Sequence, residues 1–158
     1  MRLLDLTTQR YFNAIIEKME EEDFKVIAEK GSFEFNWLEE KDNEVFKIRS
    51  RRGKKILGLI SLIDIPVEYR LHIQLIECAK DHVGIDKKID RIAGYLIAFA
   101  CKLAFSKGYG GFVSLVPKTR LISHYKNRYS FQQFGRQLVV EWESSQHLIK
   151  KYIDDEKI

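Results

Sequence analysis

Between Arg70 and Phe131 the chain sets out an apolar strand, a polar loop, a long apolar helix, a short buried strand and a second helix. Few folds accommodate that order. Arg70 to Ala79 carry the first strand, and the loop from Lys80 to Asp90 holds Gly84. Ile92, Leu96, Phe99, Ala100 and Leu103 recur at helical spacing, which predicts a helix from Arg91 to Lys107, stopped by Gly108. Gly111 to Val116 reads as a buried strand ended by Pro117. Lys118 to Arg128 makes a shorter helix with Leu121, Ile122 and Tyr125 turned inward.

The flanking segments complete an α+β pattern. Phe12, Ile15, Ile16 and Met19 stand at helical spacing, so Thr8 to Glu22 is expected to be an amphipathic helix. A second short helix through Phe24 to Ala28 closes at Gly31, giving a helical N-terminal region of about 7–31. Phe33 to Trp37 and Glu44 to Arg49 alternate apolar and polar residues, the strand pattern. Ile56 to Ile63 is continuously apolar, as in a strand covered on both faces. Arg51 to Lys54 forms the turn between these last two, with Gly53 free to take positive φ. Phe134 to Trp142 reads as a further strand and Leu148 to Ile153 as a helical turn or two, after which Asp154 to Ile158 frays. The expectation is one α+β domain over 1–158, with a mixed, mostly antiparallel central sheet flanked by helices.

A chain of 158 residues builds a core of that size without disulfides or metals. Every long apolar run is broken by charge before it reaches membrane-spanning length, and Met1 to Leu6 is too short for a signal peptide. No membrane partner is expected, and the cytoplasm is the default location. Cys78 and Cys101 lie in apolar segments with no His or Cys at zinc-finger spacing, so they read as buried reduced thiols. A net charge of +4 and a pI near 9.0 admit an anionic partner without naming one.

Two local patterns narrow the class. Arg91-Ile-Ala-Gly94-Tyr-Leu96 opens the long helix, and Lys118 is followed seven residues later by Tyr125, then by Ser130-Phe131. Together with the order of elements, this resembles the core of the GNAT superfamily of N-acetyltransferases. The family's loop motif is Arg/Gln-x-x-Gly-x-Gly/Ala, and its later motif runs from Asn to Tyr to Gly-Phe. Leu96, Lys118 and Ser130 depart from those patterns. Diverged bacterial GNAT-like proteins look closer still, through Leu75-Ile-Glu-Cys-Ala79, Leu96-Ile-Ala-Phe-Ala-Cys-Lys102 and Lys118-Thr-Arg-Leu-Ile-Ser-His-Tyr125. That resemblance covers about residues 44–143. It implies acetyl-CoA as co-substrate and an amine acceptor whose identity stays open.

Acyl transfer to an amine requires the cofactor's diphosphate to be held, the amine to lose a proton, and the thiolate to be protonated. A helix N-terminus presents free amides and a positive dipole end to a diphosphate. Arg91, Ile92, Ala93, Gly94, Tyr95 and Leu96 would supply these amides, with Lys118 also assigned to the cofactor. Gly94 reads alternatively as relief of a helix–sheet contact. Backbone groups of Ile76, Cys78 and Ala79 would pair with the amide-bearing pantetheine arm as an added strand does. For that arm to enter, the strand Gly111–Val116 has to splay away.

Glu77 sits in an apolar strand where a carboxylate needs a partner or a task. It reads as the acceptor of the amine's proton, and equally as a strand-end or salt-bridged residue. His72 and His82 are weaker candidates for the same duty. Tyr125, protonated at neutral pH because a phenol titrates near ~10, is the expected acid for the thiolate, with a core aromatic as the alternative; His124 faces another way.

A different class is kept beside the enzyme: a catalytically inactive GNAT-like module that binds nucleic acid or a protein. Arg49, Arg51, Arg52, Lys54 and Lys55 cluster at the hairpin, and Tyr125, Lys126, Arg128, Tyr129 and Arg136 form a second basic–aromatic group. A solvated hairpin tip is the preferred reading of the first cluster.

Overall fold

The computed structural model describes residues 1–84 and 86–154. Chain order is strand β1 (Arg2–Asp5), strand β2 (Arg10–Lys18), helix α1 (Glu21–Lys30), strand β3 (Glu44–Ser50), strand β4 (Ile56–Ile65) and strand β5 (Arg70–Cys78). There follow strand β6 (Ile89–Asp90), helix α2 (Ile92–Ser106), strand β7 (Val113–Leu115), helix α3 (Ile122–Tyr129), strands β8 (Gln132–Phe134) and β9 (Gln137–Val140), and helix α4 (Trp142–Tyr152). Hydrogen bonding orders the strands β6-β1-β2-β3-β4-β5-β7-β9-β8. Pairs β1–β2, β1–β6, β2–β3, β7–β9 and β8–β9 are antiparallel, whereas β5 and β7 are parallel. The mostly antiparallel α+β sheet expected from sequence is present. The chain divides into two compact units, 1–61 with 75–96, and 62–74 with the residues from 97 onward.

In the first unit the stretch expected as a helix, Thr8 to Glu22, is instead largely β2, paired residue for residue with β1 (Leu3 opposite Phe12). The turn before it is fixed by Asp5, whose Oδ1 accepts the N–H groups of Thr7 at 2.9 Å and Thr8 at 3.3 Å. Helix α1 starts earlier than expected, with a reciprocal Glu20–Asp23 capping box, and ends at Gly31 in the left-handed conformation. Phe33 to Trp37 is no strand. It leads into a 3₁₀ turn, Trp37–Glu40, because the Asn36 side chain caps the Leu38 amide at 3.2 Å.

Phe24, Ile27, Phe33, Trp37, Leu59 and Ala79 belong to one buried cluster, with Leu75 of β5 against it. Elsewhere in the unit, Gly58 lets β4 approach the start of α2. A Cβ at this position would lie 2.6 Å from Ile92 Cγ2. Gly53 does not adopt positive φ; its N–H returns to the Ser50 carbonyl, and the Arg49 guanidinium ties the same turn by donating to the carbonyls of Ser50 and Gly53.

In the second unit β7 is shorter than expected, because Gly110 and Gly111 take positive φ. Phe134 to Trp142 is not one strand but the β8–β9 hairpin followed by α4, and α4 begins at Trp142, earlier than the expected Leu148. Of the expected fraying tail, residues 155–158 lie outside the described residues. The Ser145 hydroxyl, fully buried, donates to the Gly111 carbonyl at 2.6 Å and fixes α4 on the glycine turn. Phe105 meets Trp142 edge to face at 6.4 Å.

Candidate active site

Strand β5 is the spine of the site. Its parallel register with β7 runs from Leu71 opposite Val113 to Ile73 opposite Leu115. Past that point β5 continues through Gln74–Cys78, whereas β7 ends at Leu115 and meets Pro117 soon after. A regular strand sends amides an even number of residues apart to the same neighbour. Yet the Leu71 N–H donates to Phe112 beside β7, and the Ala79 N–H donates to Leu57 of β4 at 2.9 Å. The alternation therefore slips once in this span, as at a bulge. It also means that the Ala79 amide, one of the three assigned to the cofactor arm, is engaged by the sheet.

Glu77 holds the preceding loop to this strand. Its Oε2 accepts the Glu34 amide at 2.7 Å, and its Oε1 accepts the Phe35 amide at 3.3 Å and the Trp37 indole Nε1–H at 2.8 Å. A carboxylate offers about four acceptor positions, so among the described residues Oε2 keeps one. No local pattern announces these partners, since they stand some forty residues earlier in the chain.

At the start of α2, Arg91 has φ 73, an uncommon conformation for a residue with a Cβ. Its N–H donates to Asp90 Oδ1 at 2.9 Å, and the same oxygen takes the Lys87 ammonium at 2.7 Å. The Ala93 N–H is directed at the Cys78 thiol, and the Tyr95 N–H closes the first helical turn on the Arg91 carbonyl. Of the six amides expected to face a diphosphate, those of Arg91, Ala93 and Tyr95 are thus taken by protein groups, and that of Leu96 by the helix's own bond to the Ile92 carbonyl. The side chains of Ile92, Tyr95 and Leu96 are core, and the Tyr95 hydroxyl donates to the Arg2 carbonyl while accepting the Arg2 N–H at 2.9 Å. Besides the half-buried side chains of Arg91 and Ala93, this segment offers a ligand its backbone, and the Asp90 carboxylate stands at its mouth.

Burial pushes the Cys78 thiol up to about 11 and the Cys101 thiol to about 12, so both stay protonated at neutral pH. His82 is buried, and neither ring nitrogen has a partner among the described residues; burial, then Lys55, pushes its pKa down. His72 is likewise lowered, by burial and by Arg70, and its Nδ1 lies 2.9 Å from the buried Ser114 hydroxyl, which also accepts from Arg70 at 2.7 Å. Ser114 and His72 therefore form a structural link between β7 and β5.

In the second unit Tyr125 is half-buried on α3, amid an aromatic cluster. Its ring lies 5.5 Å from His124, 5.9 Å from Tyr129 and 6.0 Å from Phe131. His124, expected to face elsewhere, packs edge-on against it. Tyr129, not Tyr125, is the buried tyrosine of this helix, set against Tyr152 at 6.2 Å. Lys118 is exposed, and its carbonyl accepts the Leu121 amide at 2.8 Å. Ser130 takes φ 59, the conformation that glycine favours, and Phe131 beside it is buried.

The basic hairpin is partly committed internally: Arg49 pairs with Glu17 at 2.6 Å, and Lys55 with Asp81 at 3.6 Å. Tyr129 of the second basic–aromatic group is a core ring rather than a stacking platform.

Among the described residues, the nine-stranded, mostly antiparallel sheet with four helices has the GNAT acetyltransferase fold. A chimera of the spermidine N-acetyltransferase SpeG from Vibrio cholerae and hSSAT matches with a TM-score of 0.61 at 18% identity, over 85% of this chain and 98% of its own. The dodecameric spermidine N-acetyltransferase of Vibrio cholerae in its intermediate state gives 0.59 at 14% identity, over 91% and 98%. An IAA acetyltransferase from Bacillus cereus gives 0.59 at 14% identity, over 82% and 99%. No family model matches the sequence, and no curated protein matches it. Among the described residues, no helix is long and apolar enough to cross a membrane.

Proposed function

We propose that the chain is an acetyl-CoA-dependent N-acetyltransferase in which an amine attacks the thioester directly. The observation that carries this reading is β5, a strand in parallel register with its neighbour only from Leu71 to Ile73 and extended well beyond it, on a fold shared with N-acetyltransferases. Acetyl-CoA supplies the activated acetyl group. The backbone of β5 at Ile76 and Cys78 pairs with the amides of the cofactor's arm. The backbone from Arg91 to Leu96, chiefly the amides of Ile92 and Gly94, receives the diphosphate at the positive end of α2, aided by Lys118. Glu77 holds the loop 34–37 and, through the acceptor position left on Oε2, takes the attacking amine's proton by way of water. Tyr125 donates its phenolic proton to the departing thiolate. The thiols of Cys78 and Cys101, unpaired with each other, support a reducing compartment, the cytoplasm.

Thermal melting with acetyl-CoA tests the binding step. One-site linkage gives a stabilisation of about 2.7 kcal/mol at a hundredfold excess over Kd. Tyr125→Phe should lower turnover about 100-fold or more, the scale of general acid catalysis, and leave acetyl-CoA affinity unchanged. Unaltered turnover removes Tyr125 from the chemistry.

A further inference from the structure

The loop hydrogen-bonded to Glu77 walls a groove whose lining contains no charge. The groove runs between α1 and residues 33–38, has a volume of about 180 Å³, and is lined chiefly by Phe24, Ile27, Phe33, Phe35, Trp37 and Leu38. Phe24, Ile27, Phe33 and Trp37 form its buried walls, while Phe35 and Leu38 are 45% and 50% exposed. The one polar side chain in the lining, Asn36, already caps the Leu38 amide. The loop that builds the groove is the one tied to the Glu77 carboxylate through Phe35 N–H and Trp37 Nε1–H.

We infer that this groove seats the acceptor, and that the acceptor is a monoamine whose body is one small ring or a short branched alkyl group. The inference rests on the transferase reading and adds the substrate class to it. An apolar cavity of ~150 Å³ accepts a benzene ring, so the groove has room for a ring of that size. No charged side chain lines the groove, and the Glu77 carboxylate that holds its loop complements one ammonium. A linear polyamine is disfavoured, because an ammonium seated against this lining would lose water and find no charged side chain there.

The test uses the intact chain carrying Trp142→Phe, so that Trp37 is the sole indole. Titration with 2-phenylethylamine and with spermidine is followed by Trp37 fluorescence without cofactor, and acetyl transfer from acetyl-CoA by thiol release. The expected result is saturable quenching by 2-phenylethylamine and a kcat/KM at least about tenfold above that for spermidine, the scale of discrimination an apolar pocket provides. Leu38→Glu, at the exposed rim, should erase both advantages while leaving acetyl-CoA-induced melting shifts in place. A preference for spermidine, or 2-phenylethylamine kinetics indifferent to Leu38→Glu, overturns the inference with the transferase reading intact. Leu38-dependent quenching without thiol release from any amine keeps the groove as a ring-binding site and instead removes the transferase reading.

Discussion

Gly58→Ala probes the packing beneath the start of α2. The new Cβ would stand 2.6 Å from Ile92 Cγ2, 3.2 Å from Leu96 Cδ1 and 3.3 Å from Ile48 Cγ2. Carbon pairs rest at ~3.5–4.0 Å, so the first contact is short by about 1 Å. Ile92 cannot swing aside: it is β-branched, restricted to essentially one χ1 well in a helix, and buried. Either β4 or the first turn of α2 must move. Overpacking of this kind costs about 1–3 kcal/mol, and the smaller unfolded-state entropy of alanine offsets about 0.5–1 kcal/mol. A net loss of about 1–2 kcal/mol lowers the melting midpoint by about 2–8 °C in a chain of this size. Calorimetry of the single variants and of Gly58→Ala/Ile92→Ala isolates the cause. Ile92→Ala alone should cost ~2–5 kcal/mol, and in the double variant the added methyl enters the vacated space, so the two losses should fall short of their sum by about 1 kcal/mol. Losses that add within ~0.5 kcal/mol, or a Gly58→Ala protein as stable as the parent, would refute the steric argument.

Glu77→Gln places an amide where three N–H donors converge; it should cost about 1–2 kcal/mol and alter Trp37 emission. It should also lower kcat/KM about 100-fold or more, and an unchanged kcat/KM would leave Glu77 only its hold on the loop. Burial raises the Asp64 pKa, but the hydrogen bonds from Lys107 at 2.9 Å and Tyr109 at 2.7 Å outweigh it and leave the carboxyl lowered. A lowered folded value contributes stability above the ordinary aspartate pKa of ~3.9, lost as pH falls through the folded one. Asp64→Asn should therefore melt below the parent at neutral pH and converge with it on strong acidification; a gap independent of pH would contradict the assignment. Ser130→Gly relieves a left-handed residue that costs ~1–2 kcal/mol, less glycine's entropic penalty of ~0.5–1 kcal/mol. A gain of about 0.5–1 kcal/mol in denaturant unfolding is expected, and a loss would mean that the Ser130 side chain contributes more than its backbone strain removes.

Local chemistry made several features legible. The apolar run of β4, the alternation of β3, the length of α2 and the stop at Gly31 each follow from residues close in sequence. The strand expected over Phe33 to Trp37 missed the 3₁₀ turn, although Asn36 with Glu39 three residues on carried a local helix-start signature for it. Thr8 to Glu22 misled for a different reason. Apolar residues half-buried on both faces of a strand mimic helical spacing, and only pairing with β1 on one side and β3 on the other decides the matter.

What the amino-acid order determined by itself was the alternation of strands and helices around Arg70–Phe131, and with it an acetyltransferase-like α+β sheet. Tertiary structure alone decided the three donors on Glu77, the slip of alternation in β5, the carboxylate of Asp90 at the mouth of α2 and the groove beside Trp37. Helix caps and turns are satisfied within a few residues, so they leave a local trace. A carboxylate's partners forty residues away leave none, because the chain closure that unites them depends on every element folded in between.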